Sequence, residues 1–237
     1  MLVLGHRGVH GRTISENTIE AFHEAIRQGA DGIEFDLRAS RDGEMVVVHD
    51  VNLHRVAGDA HRVAELTASQ LAQVSLRAGG SIPTLHDVTS HIHAPHILDI
   101  EVKHRDVVET LIVKLGTSSA LRERTIVSSF HASVLMRVRR AHPDVRTLFL
   151  VPRWPLPLQG KRFFTKLLRL KPWAVACPVQ ILNPKRVDHL RSYGWGVGAW
   201  DVRGTLGEAR KIQRLGLDVA IVRHVREVRI PQGDLSL

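Results

Sequence analysis

The chain has 237 residues, 43% of them hydrophobic, enough to bury a full core in one large α/β domain or two small ones, of which we expect one. No apolar run approaches the roughly 18 residues of a membrane span, and the opening Met1-Leu2-Val3-Leu4-Gly5-His6 is too short in apolar character for a signal peptide. Cys177 is the only cysteine, which excludes an intrachain disulfide and suits a reducing compartment, with the cytoplasm as default; the net charge of +9 is uneven, residues 1–118 holding 11 Lys/Arg and 16 Asp/Glu, residues 119–237 holding 22 and 8. Such a basic second half suits an anionic substrate, a membrane surface or nucleic acid.

The apolar run Leu2-Val3-Leu4 reads as a strand that ends in Gly5-His6-Arg7-Gly8, where glycines let the backbone turn and present two polar side chains. Ser15-Glu16-Asn17-Thr18 offers a helix start, with Ile19, Phe22, Ala25 and Ile26 at helical spacing and Gly29 as the stop. Ile33, Phe35 and Leu37 then alternate with Glu34 and Asp36, so both carboxylates share one face of a strand. Arg41-Asp42-Gly43 has the chemistry of a tight turn, and the β-branched run 45–48 returns as a strand that brings His49 near the acids. Like charges at this spacing repel unless a basic side chain or a cation sits between them, and a divalent metal is the economical answer. The plain alternative is a solvated strand edge.

After His49-Asp50 the polar, turn-rich segment to residue 83, with one short helix over 67–74, reads as an excursion forming a small lid or cap. The run 96–103 is a strong strand whose Asp99, Glu101 and Lys103 share a face. Alternation continues with a helix over about 106–121, a strand 125–129, a helix 131–141 and a strand 146–151. A basic, aromatic connection 152–172 leads to a strand 175–178, a helix 184–193, a strand 196–200, a helix 206–215 and a strand 219–222. About eight strands with intervening helices predict a closed (β/α)8 TIM barrel, an open doubly wound sheet being the runner-up. In a barrel, catalytic side chains sit at the carboxyl ends of the strands, where His6, Arg7, Glu34, Asp36, Glu101, Lys103 and Trp200 all fall.

The chain resembles the glycerophosphodiester phosphodiesterase family in His6-Arg7-Gly8, Ser15-Glu16-Asn17-Thr18, Gly29-Ala30-Asp31-Gly32-Ile33-Glu34-Phe35-Asp36 and His49-Asp50, in the family's usual order. Ile82-Pro83-Thr84-Leu85, Glu101-Val102-Lys103, Ser128-Ser129-Phe130 and Trp200 resemble it further along. The resemblance implies a TIM barrel with a small insertion after the second strand, here about 51–82. It also implies one divalent cation held by Glu34, Asp36 and Glu101, an acid/base pair of His6 and His49, and phosphate contacts from Arg7 and Lys103. The chemistry agrees: hard carboxylate oxygens suit Mg²⁺ or Ca²⁺, and two imidazoles suit proton transfer to and from a phosphodiester, with the acid and the base left unassigned. The substrate expected is a small glycerophosphodiester.

Asn17 fits either a helix start or the shell of the metal or substrate, Asp99 a structural pairing, and Trp200 a pocket wall or a packing role. The chain departs from the family at Asp201-Val202-Arg203, where Thr-Val-Asn is common, and at Arg223-His224, where Thr-Asp is usual, both bearing on the alcohol accepted. Segment 153–173 has six Lys/Arg, no acid, and several aromatic and leucine side chains, which fits either an anionic membrane surface or an amphipathic helix packed on the barrel. The alternatives are a lysophospholipase D, or a basic nucleic-acid- or membrane-binding protein; without a recognised motif, no specific nucleic acid is expected.

Overall fold

Nine strands and the helices between them follow the predicted order in the computed structural model, which describes residues 1–154 and 157–229. The strands are β1 (Leu2–His6), β2 (Gly32–Ala39), β3 (Met45–Val47), β4 (Ile97–Val102), β5 (Thr125–Ser129), β6 (Arg146–Leu150), β7 (Ala174–Pro178), β8 (Gly196–Val202) and β9 (Val219–Val222). All but β3 pair in parallel, and the sheet closes because β1 bonds to both β9 and β2. This is a (β/α)8 barrel. β3 lies antiparallel along Leu37–Ala39, taking the edge of β2 beyond the point where β1 ends opposite Glu34.

Period-two alternation divides the apolar residues into two cores. Leu4, Ile126, Leu148, Leu150, Ala174, Ala176, Val219 and Ile221 fill the barrel interior, while the intervening set, with Ile33, Phe35, Leu37, Ile100 and Val127, packs under the helices. A third, small core joins Val46 and Val48 of the β3 segment to Leu53, Val63, Leu71, Leu76 and Ile82 of the excursion, where the expected short helix is Ala68–Ala72 with Thr67 as its cap.

Besides the helices His54–Ala57, Leu85–His91 and Val225–Arg229, which the sequence reading does not predict, two connections differ from expectation. The single helix over 106–121 is a short 3-10 turn and two pieces, Val108–Gly116 and Ser119–Glu123, because the Ser118 hydroxyl accepts from Leu121 N and starts a second helix. The connection 152–172 contains the helix Pro157–Leu170. Leu167 and Leu170 are buried, and Phe163 and Phe164 pack on the core at helical spacing, Phe164 stacking with Tyr193 and Trp195. The described aromatics of 153–173 are thus turned to the barrel, with Leu168 exposed; residues 155 and 156 and the side chains of 157–162, Lys161 and Arg162 among them, lie outside the described residues. Among the described residues no helix is long and apolar enough to cross a membrane.

The turn after β1 needs glycine at one place. Gly8 has φ +74°, and a Cβ there would lie 2.4 Å from the backbone of Ala21. Gly8→Ala is therefore expected to cost about 2–3 kcal/mol, from the strained φ together with overpacking, read as a lower urea midpoint with unchanged m.

Candidate active site at the carboxyl ends of the strands

The site is assembled by register. His6 stands opposite Glu34 on neighbouring β1 and β2, and Asp36 stands opposite Glu101 on β2 and β4, so alternation turns their side chains into one mouth of the barrel. Glu34, Asp36 and Glu101 are 1%, 0% and 6% exposed, and each offers an oxygen within 4.8 Å of the other two. Two cations stand among the three acids. Lys103 Nζ lies 2.9 Å from Asp36 Oδ1 and 2.6 Å from Glu101 Oε1, and Arg7 Nε lies 3.1 Å from Asp36 Oδ2. Glu34 has no such contact to its carboxylate, and its buried Oε1 has no hydrogen-bond partner.

The electrostatics follow from that count. Burial, with Asp36 and Glu101 alongside, pushes the Glu34 carboxyl well above the usual range, and burial with Asp36 pushes Glu101 up to about 7. Asp36 is buried as deeply, yet Lys103 and Arg7 hold it down to about 2. A divalent cation suits this donor set, because it gives the uncompensated acid a counter-charge and its orphaned oxygen a partner.

Arg7 is held by backbone geometry. It takes φ +56°, its N–H donates to Glu34 O at 2.9 Å and Glu34 Oε2 at 3.0 Å, and its carbonyl accepts from Asn17 N. Asn17 is not the helix cap; Thr18 is, its hydroxyl accepting from Ala21 N. The Asn17 side chain instead donates from Nδ2 to Asp36 Oδ2 at 2.9 Å and accepts from Asp36 N at 3.3 Å, so of its two expected roles it takes the one beside the acids.

The two histidines face the mouth differently. His6 Nε2 lies 4.0 Å from Glu34 Oε2, and burial with the Arg7 charge lowers its pKa to about 3. His49, just past β3, has Nδ1 2.6 Å from Asp50 Oδ1; burial lowers its pKa as well. An ionised carboxylate only accepts, so Nδ1 carries the hydrogen and Nε2 is the nitrogen left for chemistry.

One cleft holds most of these groups. His6, Arg7, Glu34, His49, Glu101 and Lys103 form its polar wall, and Phe130, Leu150, Trp200 and Ile221, from β6, β8, β9 and the end of β5, form the apolar one. Trp200 both lines and packs: its indole N–H donates to Val151 O at 3.1 Å, and its ring meets Phe130 edge to face. At the rim, Arg223 lies 3.6 Å from Asp201, which has φ +55°; both stand where the sequence departs from the family.

Asp99 has no structural pairing. It is fully buried opposite Glu34, and neither oxygen meets hydrogen-bond geometry with the Ser128 hydroxyl beside it. Burial pushes it up to about 8, with Glu101 and Asp36 adding to the shift. Sequence reasoning also gave no role to Glu16, Asp50 or Arg55. Only the Ser-Glu-Asn-Thr run before the helix and the His-Asp pair hint at the first two, and nothing local marks Arg55.

Comparison with known proteins matches the chain to one family. The sequence model of the Glycerophosphoryl diester phosphodiesterase family matches residues 6–227. A Mycobacterium tuberculosis protein named "Probable glycerophosphodiester phosphodiesterase 1" is 32% identical, over 84% of this chain and 81% of its own. The crystal structure of a Thermotoga maritima glycerophosphodiester phosphodiesterase is 29% identical with a TM-score of 0.80, over 95% of this chain and 96% of that one. An Oleispira antarctica phosphodiesterase solved with the product sn-glycerol-3-phosphate shares the fold at 22% identity, with a TM-score of 0.81 over 96% of this chain and 95% of its own.

Proposed function

The chain belongs to the glycerophosphoryl diester phosphodiesterase family, and on that footing we propose that it hydrolyses glycerophosphodiesters to glycerol 3-phosphate and an alcohol. The observation that carries this reading is the buried trio Glu34, Asp36 and Glu101 beside Arg7, Lys103, His6 and His49 at one barrel mouth. Glu34, Asp36 and Glu101 would hold one divalent cation, Mg²⁺ or Ca²⁺, which when bound draws off charge developing on the phosphate oxygens.

The chain's own residues do the rest. Arg7 grips the phosphate through its fork of N–H donors and Lys103 through a point charge, which holds it in the cleft that both imidazoles line. One imidazole takes the proton of the attacking oxygen and the other gives one to the departing alkoxide. For His49 the nitrogen concerned is Nε2, and Asp50 steadies the ring in either direction of transfer. The apolar wall of Phe130, Leu150, Trp200 and Ile221 receives carbon-bearing parts of the substrate and keeps water from that side, while Asp201 and Arg223 at the rim meet the alcohol.

The test is turnover of a panel of glycerophosphodiesters and lysophospholipids, in chelator and then with Mg²⁺ or Ca²⁺ restored. Release of glycerol 3-phosphate that stops in chelator and returns with the cation is expected. Turnover that ignores the chelator rejects the metal role, and no turnover of any diester rejects the function.

A further inference from the structure

A chain of alternating charges joins the excursion to the site. Arg55, in the short helix His54–Ala57, donates from Nε to Asp50 Oδ2 at 2.6 Å. It also donates from Nη1 and Nη2 to the two oxygens of Glu16, at 2.8 and 2.6 Å. The other oxygen of Asp50 holds His49 Nδ1, and Glu16 Oε1 also takes Arg7 Nη1 at 2.9 Å. One guanidinium therefore stands between the acid that orients an imidazole and the acid that orients the phosphate-facing arginine. Arg55 is not among the residues that line the cleft.

We propose that Arg55 is a positioning residue for both: through Asp50 it sets the ring orientation and tautomer of His49, and through Glu16 it sets the reach of Arg7. The proposal rests on the roles given to His49 and Arg7 in the reading above. Its physical basis is the shape of the side chain. Three N–H groups in a rigid plane span two carboxylates at once, which a single ammonium on a flexible stem does not.

Without that cation, Glu16 and Asp50 carry like charges toward one gap. Asp50 turns outward and frees the imidazole to rotate, while Glu16, reduced to one partner, draws Arg7 away from Asp36 and the phosphate. The backbone beneath Arg55 is anchored to match. Leu53, directly before its helix, is fully buried with Val46 and Val48, which lie on the same segment that leads into His49, so Arg55 and His49 ride on one packed unit. The excursion thereby has a task beyond covering the barrel.

The experiment compares the full-length, cation-loaded protein with its Arg55→Met and Arg55→Lys variants on glycerophosphocholine, measuring kcat and KM separately. It adds the ¹⁵N spectrum of the histidine rings, with the His49 signals assigned by their loss in His49→Asn. Arg55→Met is expected to lower kcat/KM by about 10–100-fold, the range seen when an orienting partner is removed, with kcat falling through His49 and KM rising through Arg7. The single Nδ1–H tautomer of His49 becomes a mixture, and Arg55→Lys restores one of the two effects at most. Should Arg55→Met fold poorly, Asp50→Asn and Glu16→Gln separate the two arms: the first is expected to lower kcat, the second to raise KM. Kinetics within twofold of the parent and an unchanged His49 spectrum in Arg55→Met, while His49→Asn is inactive, would leave Arg55 a mere staple and overturn the proposal. An active His49→Asn instead overturns the underlying reading of the site.

Discussion

Asparagine in place of His6 or His49 is expected to lower kcat by about 10²–10⁴-fold, the range general acid–base groups contribute, with the cation-loaded protein still folded. The two substitutions act on opposite ends of one reaction, so the double variant falls little below the worse single one. Folding is spared for different reasons. His49 is half-exposed and bound through its ring to Asp50, a contact that asparagine gives up at the cost of one partly exposed hydrogen bond. The His6 ring is more sheltered, but its Nδ1 has no hydrogen-bond partner to lose. A substrate with a good leaving group separates them further, since the variant lacking the proton donor recovers rate on it and the one lacking the base does not. Wild-type kcat in either single variant would remove that histidine from the mechanism.

Glu34→Gln carries the second large effect, and it has opposite signs with and without metal. In the chelated protein the variant is expected to be more stable than the parent by about 1–3 kcal/mol at pH 8, because a buried carboxylate without a counter-charge is replaced by a neutral amide. With cation at about 100 times the parent's dissociation constant, the parent gains about 2.7 kcal/mol and the variant gains far less. Thermal melts with and without Mg²⁺ or Ca²⁺ measure both. The pH dependence of the chelated parent follows from the same groups. Glu101 near 7 and Asp99 near 8 lie above their unfolded values, so between pH 8 and 7 the folded chain binds protons the unfolded chain does not. Stability therefore falls as pH rises through that window, by up to about 1.4 kcal/mol per unit for each group. Below about pH 6.5 His6, whose folded pKa is lowered to about 3, opposes the trend, because the unfolded chain then binds the extra proton. A flat chelated profile between pH 7 and 8, or a Glu34→Gln variant that loses stability without metal, would contradict this electrostatic account.

The placement of the apolar side chains bears on which lipid-like substrates fit. An acyl-bearing substrate such as a lysophospholipid needs apolar surface at the cleft, and in the segment 153–173 the Trp154 ring instead lies under Arg186 and beside Phe164. Those rings are engaged in packing between the helices Pro157–Leu170 and Pro184–Arg191. Among the described residues, the apolar surface that faces the cleft is Phe130, Leu150, Trp200 and Ile221, inside the barrel mouth.

Local sequence is enough to read the strand order, the parity that turns Glu34, Asp36 and Glu101 inward, and the strands that lead into His6 and His49. These are recorded in a period of two, in glycine at the Gly8 turn and in Asp-Gly at the hairpin, all set by neighbours a few residues away. Long-range packing alone sets Asn17 on Asp36 rather than at the cap of its own helix, leaves Asp99 buried without a hydrogen-bond partner, and bridges Glu16 and Asp50 with Arg55. The contact between Arg55 and Glu16 joins residues 39 positions apart, brought together by closure of the barrel and docking of the excursion. Such a meeting leaves no periodic trace along the chain, because side-chain charges pair by distance in space while periodicity records only which face of its own element a residue occupies.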